Sequence, residues 1–135
     1  MTTKQWLSRA RSIDSEIDTL LVSYAETKAR LTNITQQITG DPVQATKDPH
    51  KYDAIVALSQ QIDAKVDELV EAKKEIADAI LKLPKRNHRE VLMRRYVGGE
   101  SWPEIAEGLN YSLRAVYKIH GRALIEMTEV INGRP

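Results

Sequence analysis

Over residues 6–38 and again over 52–83, apolar side chains recur at alternating steps of four and three. The first ladder is Trp6, Ala10, Ile13, Ile17, Leu20, Tyr24, Leu31, Ile34 and Ile38, interrupted only by Thr27. The second is Tyr52, Ile55, Ile62, Val66, Leu69, Ile76, Ile80 and Leu83, with Ser59 and Lys73 as polar interruptions. This spacing keeps one stripe of a helix facing a partner helix and cannot hold a half-buried strand, whose period is two. No Pro or Gly precedes Gly40, so the spacing predicts one helix over about 4–38. The connection "TGDPVQATKDPH" breaks it with Gly40, Pro42 and Pro49. Asp48 followed by Pro49 is a good helix start, since Asp caps and Pro suits the first turn. Two matched ladders across so short a connection predict an antiparallel helical hairpin of coiled-coil type.

The apolar stripes are wider than one partner helix covers. Leu7 and Leu21 flank the first seam, and Val56, Leu58, Val70 and Leu81 flank the second. A lone hairpin buries little surface, so the pattern predicts a homodimer whose second copy completes a bundle. The competing reading has the C-terminal part of the same chain cover the excess stripe. Composition agrees with helices: there are two Trp, five Tyr and no Phe, which leaves the core to Leu, Ile, Val and Ala. Cys is absent, which excludes a disulfide framework or a thiolate site. The start, "MTTKQWLSRARSIDSE", has no apolar signal region, and no apolar run approaches the roughly 20 residues of a membrane span. The expected location is the cytoplasm.

Residues 83–135 divide differently. Leu83-Pro84 ends the second long helix, because Pro disfavours helical geometry in the residue before it. Pro84 opens "KRNHREVLMRRYV", with Val91, Leu92 and Tyr96 as its inner face, and Gly98-Gly99 stops it. Ser101 caps a short helix, with Glu104 three residues on reaching back to the cap and Pro103 in the first turn. Ile105, Ala106 and Leu109 face inward. Asn110 tolerates a left-handed turn. Ser112 then caps a last helix through Val116, Ile119, Ala123, Leu124 and Met127 to about Ile131, closed by Asn132-Gly133. The expected division is therefore a hairpin over 1–83, for oligomerisation, and a helix-turn-helix over 84–135, for binding DNA.

In a helix-turn-helix the second helix enters the major groove of duplex DNA. With Val116, Ile119, Ala123 and Leu124 inside, Leu113, Arg114, Tyr117, Lys118 and Gly121 point outward. Arg114 can donate two bonds to a guanine, and Leu113 or Tyr117 can meet a thymine methyl. Lys118 serves a base or a phosphate, and Gly121 leaves room for close approach. Arg86, Arg89, Arg94, Arg95 and Ser112 are the expected phosphate contacts. Charge supports this weakly: residues 83–135 hold nine Lys and Arg against six Asp and Glu. Spacing alone leaves open a plain all-α hairpin with solvated arginines.

No enzyme signature competes. His50, His88 and His120 fall in different elements without acidic partners at ligand spacing, and no HExxH or Cys-based metal site exists. Gly98-Gly99 lacks the following Lys-Ser or Lys-Thr of a phosphate loop. The carboxylates of Asp63, Asp67, Glu71 and Glu75 read as a solvated helix face. No catalytic residue, metal or cofactor is expected.

The segment "LPKRNHREVLMRRYVGGESWPEIAEGLNYSLRAVYKIHGRALIEM" resembles region 4 of bacterial sigma factors. The likeness lies in its Leu-Pro start, "REVLMRRYV", "EIAEGL" and a final "S…V..I..RAL..M"; Asn110 stands where that family often has glycine. In that family the last helix reads the promoter −35 element, which implies Leu113, Arg114, Tyr117 and Lys118 as base readers and bacterial RNA polymerase as a partner. The polymerase-binding core and −10-reading region of a full sigma factor are not evident. Through "DPHKYDAIVALSQQID" and "YSLRAVYKIHGRAL" the chain also resembles small phage and prophage proteins of Gram-positive bacteria. These join a helical hairpin to such a domain, and related RinA and ArpU groups regulate late genes. That resemblance implies a transcription regulator in a bacterial host cell. A polymerase-binding or decoy module, and a DNA-packaging component of the small-terminase kind, are the alternative readings.

Overall fold

The computed structural model describes residues 1–38 and 49–133. Gly40, Pro42 and the Asp48 cap lie outside these. Every regular element among the described residues is helical: α1 (Thr3–Leu7), α2 (Arg9–Ile38), α3 (Asp53–Ile80), α4 (Arg86–Leu92), α5 (Trp102–Leu109) and α6 (Leu113–Asn132), with a π-helical turn at Met93–Val97. The chain is all-α, with a helix-turn-helix at its C-terminal end.

The expected single first helix is broken at Ser8. The Ser8 hydroxyl donates to the Lys4 carbonyl at 2.7 Å, and the Arg9 Nε donates to the Trp6 carbonyl at 3.0 Å. Side chains competing for carbonyls of the preceding turn bend or interrupt a helix. A capping box holds the start: the Thr2 hydroxyl accepts from the Gln5 amide, and the Gln5 side chain accepts from the Thr2 amide. The second long helix also starts later than Asp48-Pro49 suggests. Residues 49–52 form turns, and α3 begins at Asp53, whose amide donates to the His50 carbonyl at 3.2 Å. At its other end α3 stops at Ile80, and the Lys82 and Leu83 amides tighten to carbonyls three residues back.

Packing divides the chain into two compact units, one of Met1–Ile13 with Leu69–Pro135, the other Asp14–Glu68. The boundaries fall inside α2 and α3. In the first unit Leu7, Ala10 and Ile13 join Ala72, Ile76, Ala79 and Ile80 in a core shared with Leu83, Val91, Leu92, Tyr96, Ile105, Val116, Ala123 and Met127, all buried. An Arg9–Glu75 ion pair at 2.9 Å and a Thr3–Thr128 hydroxyl contact tie the N-terminal turns to α3 and α6. Leu7, expected as excess stripe, is covered by this unit of its own chain. In the second unit α2 and α3 run antiparallel, Glu16 meeting Lys65 at 2.6 Å. Here Leu21 and Val56 stay about half exposed.

Within the first unit, Val91, Ile105, Ala106 and Val116 form the centre of the helix-turn-helix, with Trp102, Leu109 and Ile119 packed against it. The segment expected as one helix over 85–97 is α-helical only to Leu92. It then widens to a π turn closed by the Gly98 amide on the Met93 carbonyl at 2.8 Å. Gly98 is needed because a Cβ there would lie 2.9 Å from the Arg94 carbonyl oxygen. Gly99, at φ +69°, makes the left-handed exit.

Candidate nucleic-acid interface

The turn between α5 and α6 is built from backbone bonds that its residues favour. Asn110 sits at φ 59°, ψ 43°. Its amide donates to the Glu107 carbonyl at 3.2 Å, and the Tyr111 amide to the Ala106 carbonyl at 2.9 Å. These two bonds make a Schellman motif, which satisfies carbonyls left open at the end of α5. Ser112 caps α6 by accepting from the Ala115 amide at 3.1 Å. At the start of α5, the Ser101 hydroxyl accepts from the Glu104 amide at 3.3 Å and donates to the Glu104 carboxylate at 2.9 Å. That carboxylate therefore meets the hydroxyl and not the cap's own amide, the bond the sequence pattern predicts.

With Val116, His120, Ala123 and Met127 buried, α6 turns Leu113, Arg114, Tyr117, Lys118, Gly121 and Arg122 to solvent. Leu113 is 41% and Tyr117 49% exposed, so both present apolar surface. Arg114, Lys118 and Arg122 follow one another at successive i, i+4 positions, and no acidic residue occurs on α6 before Glu126. Among the described residues, no hydrogen bond or ion pair engages these three side chains. The positive end of the helix dipole adds to the field around Arg114, in the first turn.

The arginines of the preceding helix are placed differently. Arg86, the most open, pairs with Glu90 at 2.6 Å while its side chain stays 85% exposed. Arg89 donates to the Leu83 and Pro84 carbonyls at 2.7 and 3.0 Å, closing the end of the α3–α4 connection. Arg94 pairs with Glu100 at 3.2 Å and lies over Gly108, where a side chain would displace its guanidinium. Arg95 donates to the Glu100 carbonyl at 3.1 Å and stacks on Trp102 with its guanidinium carbon 4.4 Å from the ring centroid. Ser112 is occupied as a cap, although its proton remains free to donate.

Trp102 is the hinge of an aromatic cluster that sequence spacing did not reveal. Tyr117 meets it edge-on at 5.5 Å, and His120 meets it at 4.6 Å. Tyr117 is thus held by a neighbour on α5 while its outer face stays open. Behind it, the Tyr96 hydroxyl and His120 Nε2 lie 2.6 Å apart. Burial first, then Lys4 and Arg95, push the His120 pKa from 6.5 down to about 4. The ring is therefore neutral at pH 7, and its tautomer sets which of the two groups donates the shared proton. The sign follows from linkage: His120 protonates more readily unfolded than folded, so stability is intact above about pH 6.5 and falls as pH drops towards about 4. Urea unfolding at pH 7, 5.5 and 4.5 is expected to show that decline, and His120→Gln to make it shallower. Identical pH dependence in both proteins would exclude His120 as its source.

His88, buried on α4, is a second residue missed from sequence. Its Nδ1 lies 3.2 Å from Glu126 on α6, and Lys85 approaches the same carboxylate at 3.7 Å. His50 is exposed and contacts Asp53 at 2.8 Å. The three histidines thus serve three separate packing or turn contacts. Arg122 and the exposed Tyr111 at the mouth of the turn were also unassigned. Arg122 was legible as one more step of four beyond Lys118.

The family model described as Sigma-70, region 4 matches residues 73–127, from inside α3 to near the end of α6. The C-terminal part of the chain contains a sigma-region-4-like helix-turn-helix domain. No curated protein matches the chain, and no solved structure does. A sigma-region-4-like domain is a DNA-binding, non-catalytic module suited to a regulatory role. The match takes in the last turns of α3, which in the fold pack into the same core as this sigma-region-4-like domain. Among the described residues, no helix is long and apolar enough to cross a membrane.

Proposed function

We propose that this protein is a sequence-specific, double-stranded-DNA-binding transcription regulator of the phage or prophage kind, acting on late genes in the cytoplasm of a bacterial host. Residues 84–135 bind DNA and the hairpin of 1–83 makes a homodimer. The observation that carries the reading is the unpaired stripe of Arg114, Lys118 and Arg122 on α6, the helix that a sigma-region-4-like domain presents to the major groove. Leu113, Arg114, Tyr117 and Lys118 read base edges. Arg86, Arg94, Arg95 and Ser112 hold phosphates, and Arg89 contributes through the guanidinium nitrogens not bound to carbonyls.

The test is selection of bound sequences from a random duplex pool at low and near-physiological salt. One motif enriched at the higher salt is expected, and Arg114→Ala with Lys118→Ala should lose it. In titrations on that motif, Arg114→Ala is expected to cost about 1–3 kcal/mol at one base position. Arg86→Ala, by contrast, should weaken all sequences alike. Equal losses on every sequence from both changes would defeat direct readout.

A second reading, contact with RNA polymerase without base readout, has one observation in its favour. Leu81, 61% exposed, and Met93 border a groove of about 370 Å³ rimmed by Arg86, Arg89 and Arg94, with Glu90 as the one carboxylate among them. An apolar floor with a basic rim suits an acidic protein segment. Copurification with polymerase after nuclease treatment, with no motif enriched, would support that reading over the first.

A further inference from the structure

Residues 1–13 hold Lys4, Arg9 and Arg11 and no Asp or Glu. Arg9 is engaged within the fold, by Glu75 and by the Trp6 ring, whose centroid lies 4.6 Å from its guanidinium carbon. Lys4 and Arg11 are exposed, and among the described residues no ion pair engages either. The two stand seven residues apart. The Ser8 amide donates to the Lys4 carbonyl at 2.9 Å and the Ser12 amide to the Ser8 carbonyl at 3.0 Å, so the helical path continues through the break at Ser8. Two turns along such a path return to the same side, and both cations flank the stripe of Leu7 and Ala10.

That stripe is buried in the core that holds the helix-turn-helix, and the Thr3 hydroxyl meets that of Thr128 on α6. The N-terminal turns therefore belong to the same packed unit as α6. The Lys4 charge acts on His120 of α6, as does that of Arg95. Arg11 acts on Arg95 and on Tyr96 in the π turn. Three cations from α1, α2 and the π turn thus border the cluster of Tyr96, Trp102 and His120. Burial and then Arg11 lower the Arg95 pKa, as expected of like charges held near each other. Of the nearby carboxylates, Glu100 turns its side chain to Arg94, and Asp14 follows about one turn beyond Arg11.

We propose that Lys4, Arg11 and Arg95 form a seat for the sugar-phosphate backbone of the duplex whose major groove receives α6, so that the interface takes in the N-terminal turns as well as residues 84–135. The inference rests on the DNA-binding reading of the proposed function and adds a strand-contacting edge to it. Unpaired cations near one another repel, and a strand of closely spaced phosphates relieves that repulsion. Arg95, fixed by the Glu100 carbonyl and the Trp102 ring, keeps N–H groups to donate. Tyr117 acts on Arg95, and Gly121 stands one turn further along α6, where a Cβ would meet nothing within 4 Å. This flank of α6 leaves room for a strand to pass. Contacts of this kind position a duplex and carry no sequence information.

The test uses the full-length protein and the duplex motif that its own selection enriches. Lys4→Ala with Arg11→Ala is expected to lower affinity about tenfold and to flatten the logarithmic salt dependence by about 2 units, at roughly 0.9 per phosphate. The preferred motif should stay the same. Lys28→Ala with Arg30→Ala removes two exposed cations of the other unit and should do less. Circular dichroism and urea unfolding should show no loss of structure, since neither Lys4 nor Arg11 has an ion-pair partner to lose. The chain has no Cys, so Lys4→Cys gives a single attachment site for an iron chelate, which should cut the DNA backbone at one edge of the motif. Unchanged affinity and slope, equal losses from the two double changes, a shifted motif or no cutting at the motif's edge would each overturn the proposal and leave base reading by α6 standing. A wild type that binds no duplex would remove this seat together with the DNA-binding reading.

Discussion

Replacing Arg114, Lys118 and Arg122 together with alanine is expected to lower affinity for duplex DNA by at least about a hundredfold. It should also flatten the logarithmic salt dependence by about 1 unit, since each phosphate neutralised contributes roughly 0.9 and Arg122 is the one of the three not assigned to a base edge. The fold should survive. All three side chains are exposed, none has a partner among the described residues, and alanine is the better helix former. A titration over several salt concentrations, beside circular dichroism of both proteins, separates lost contacts from lost structure. Unchanged affinity and slope in a folded variant would show that α6 does not lie against DNA. The same change made at Arg86, Arg94 and Arg95 would then show which helix does.

The largest effect on stability is expected from Ile105→Ala, at about 2–5 kcal/mol. Ile105 has no exposed surface and sits among Val91, Ala106 and Val116, where α4, α5 and α6 meet. Truncation leaves a cavity that these three helices cannot close without moving the turn at Asn110, and that turn aims α6. Urea unfolding should show the loss, and DNA binding should fall with it at temperatures where the wild type still binds. Ile125→Ala is the comparison: Ile125 is 69% exposed, and its truncation should change stability by less than about 0.5 kcal/mol. Similar losses at both positions would mean that the core is not where the packing places it.

The local signals in the sequence were strong where one residue type solves one backbone problem. Ser101 and Ser112 cap their helices, Asn110 takes the left-handed turn, and Gly99 ends the segment before α5. The outward face of α6 followed from spacing as well, since its inward residues repeat at steps of three and four. Less legible were outcomes decided by competition between near-equal local choices. Whether 4–38 is one helix or two depends on carbonyls taken by Ser8 and Arg9, and the π turn at Met93–Val97 depends on how Gly98 closes it. A window of apolar spacing contains neither.

Long side chains were harder still. Arg86, Arg89, Arg94 and Arg95 read alike in sequence as a basic run. Their reach of several ångströms lets tertiary neighbours choose among a carboxylate, two carbonyls and an indole ring. The same holds for His88 and Glu126, far apart in the chain and brought together only when α4 packs on α6.

By itself, then, the sequence determined the helices, most of their caps and which side of α6 faces out, because these depend on residues within one or two turns of each other. The tertiary structure alone decided which stretches of the two long ladders join the helix-turn-helix core and which stay exposed. Ile13 and Ile76 obey the same repeat as Tyr24 and Ile55. Burial depends on what lies opposite, and a periodic stripe carries no information about its partner.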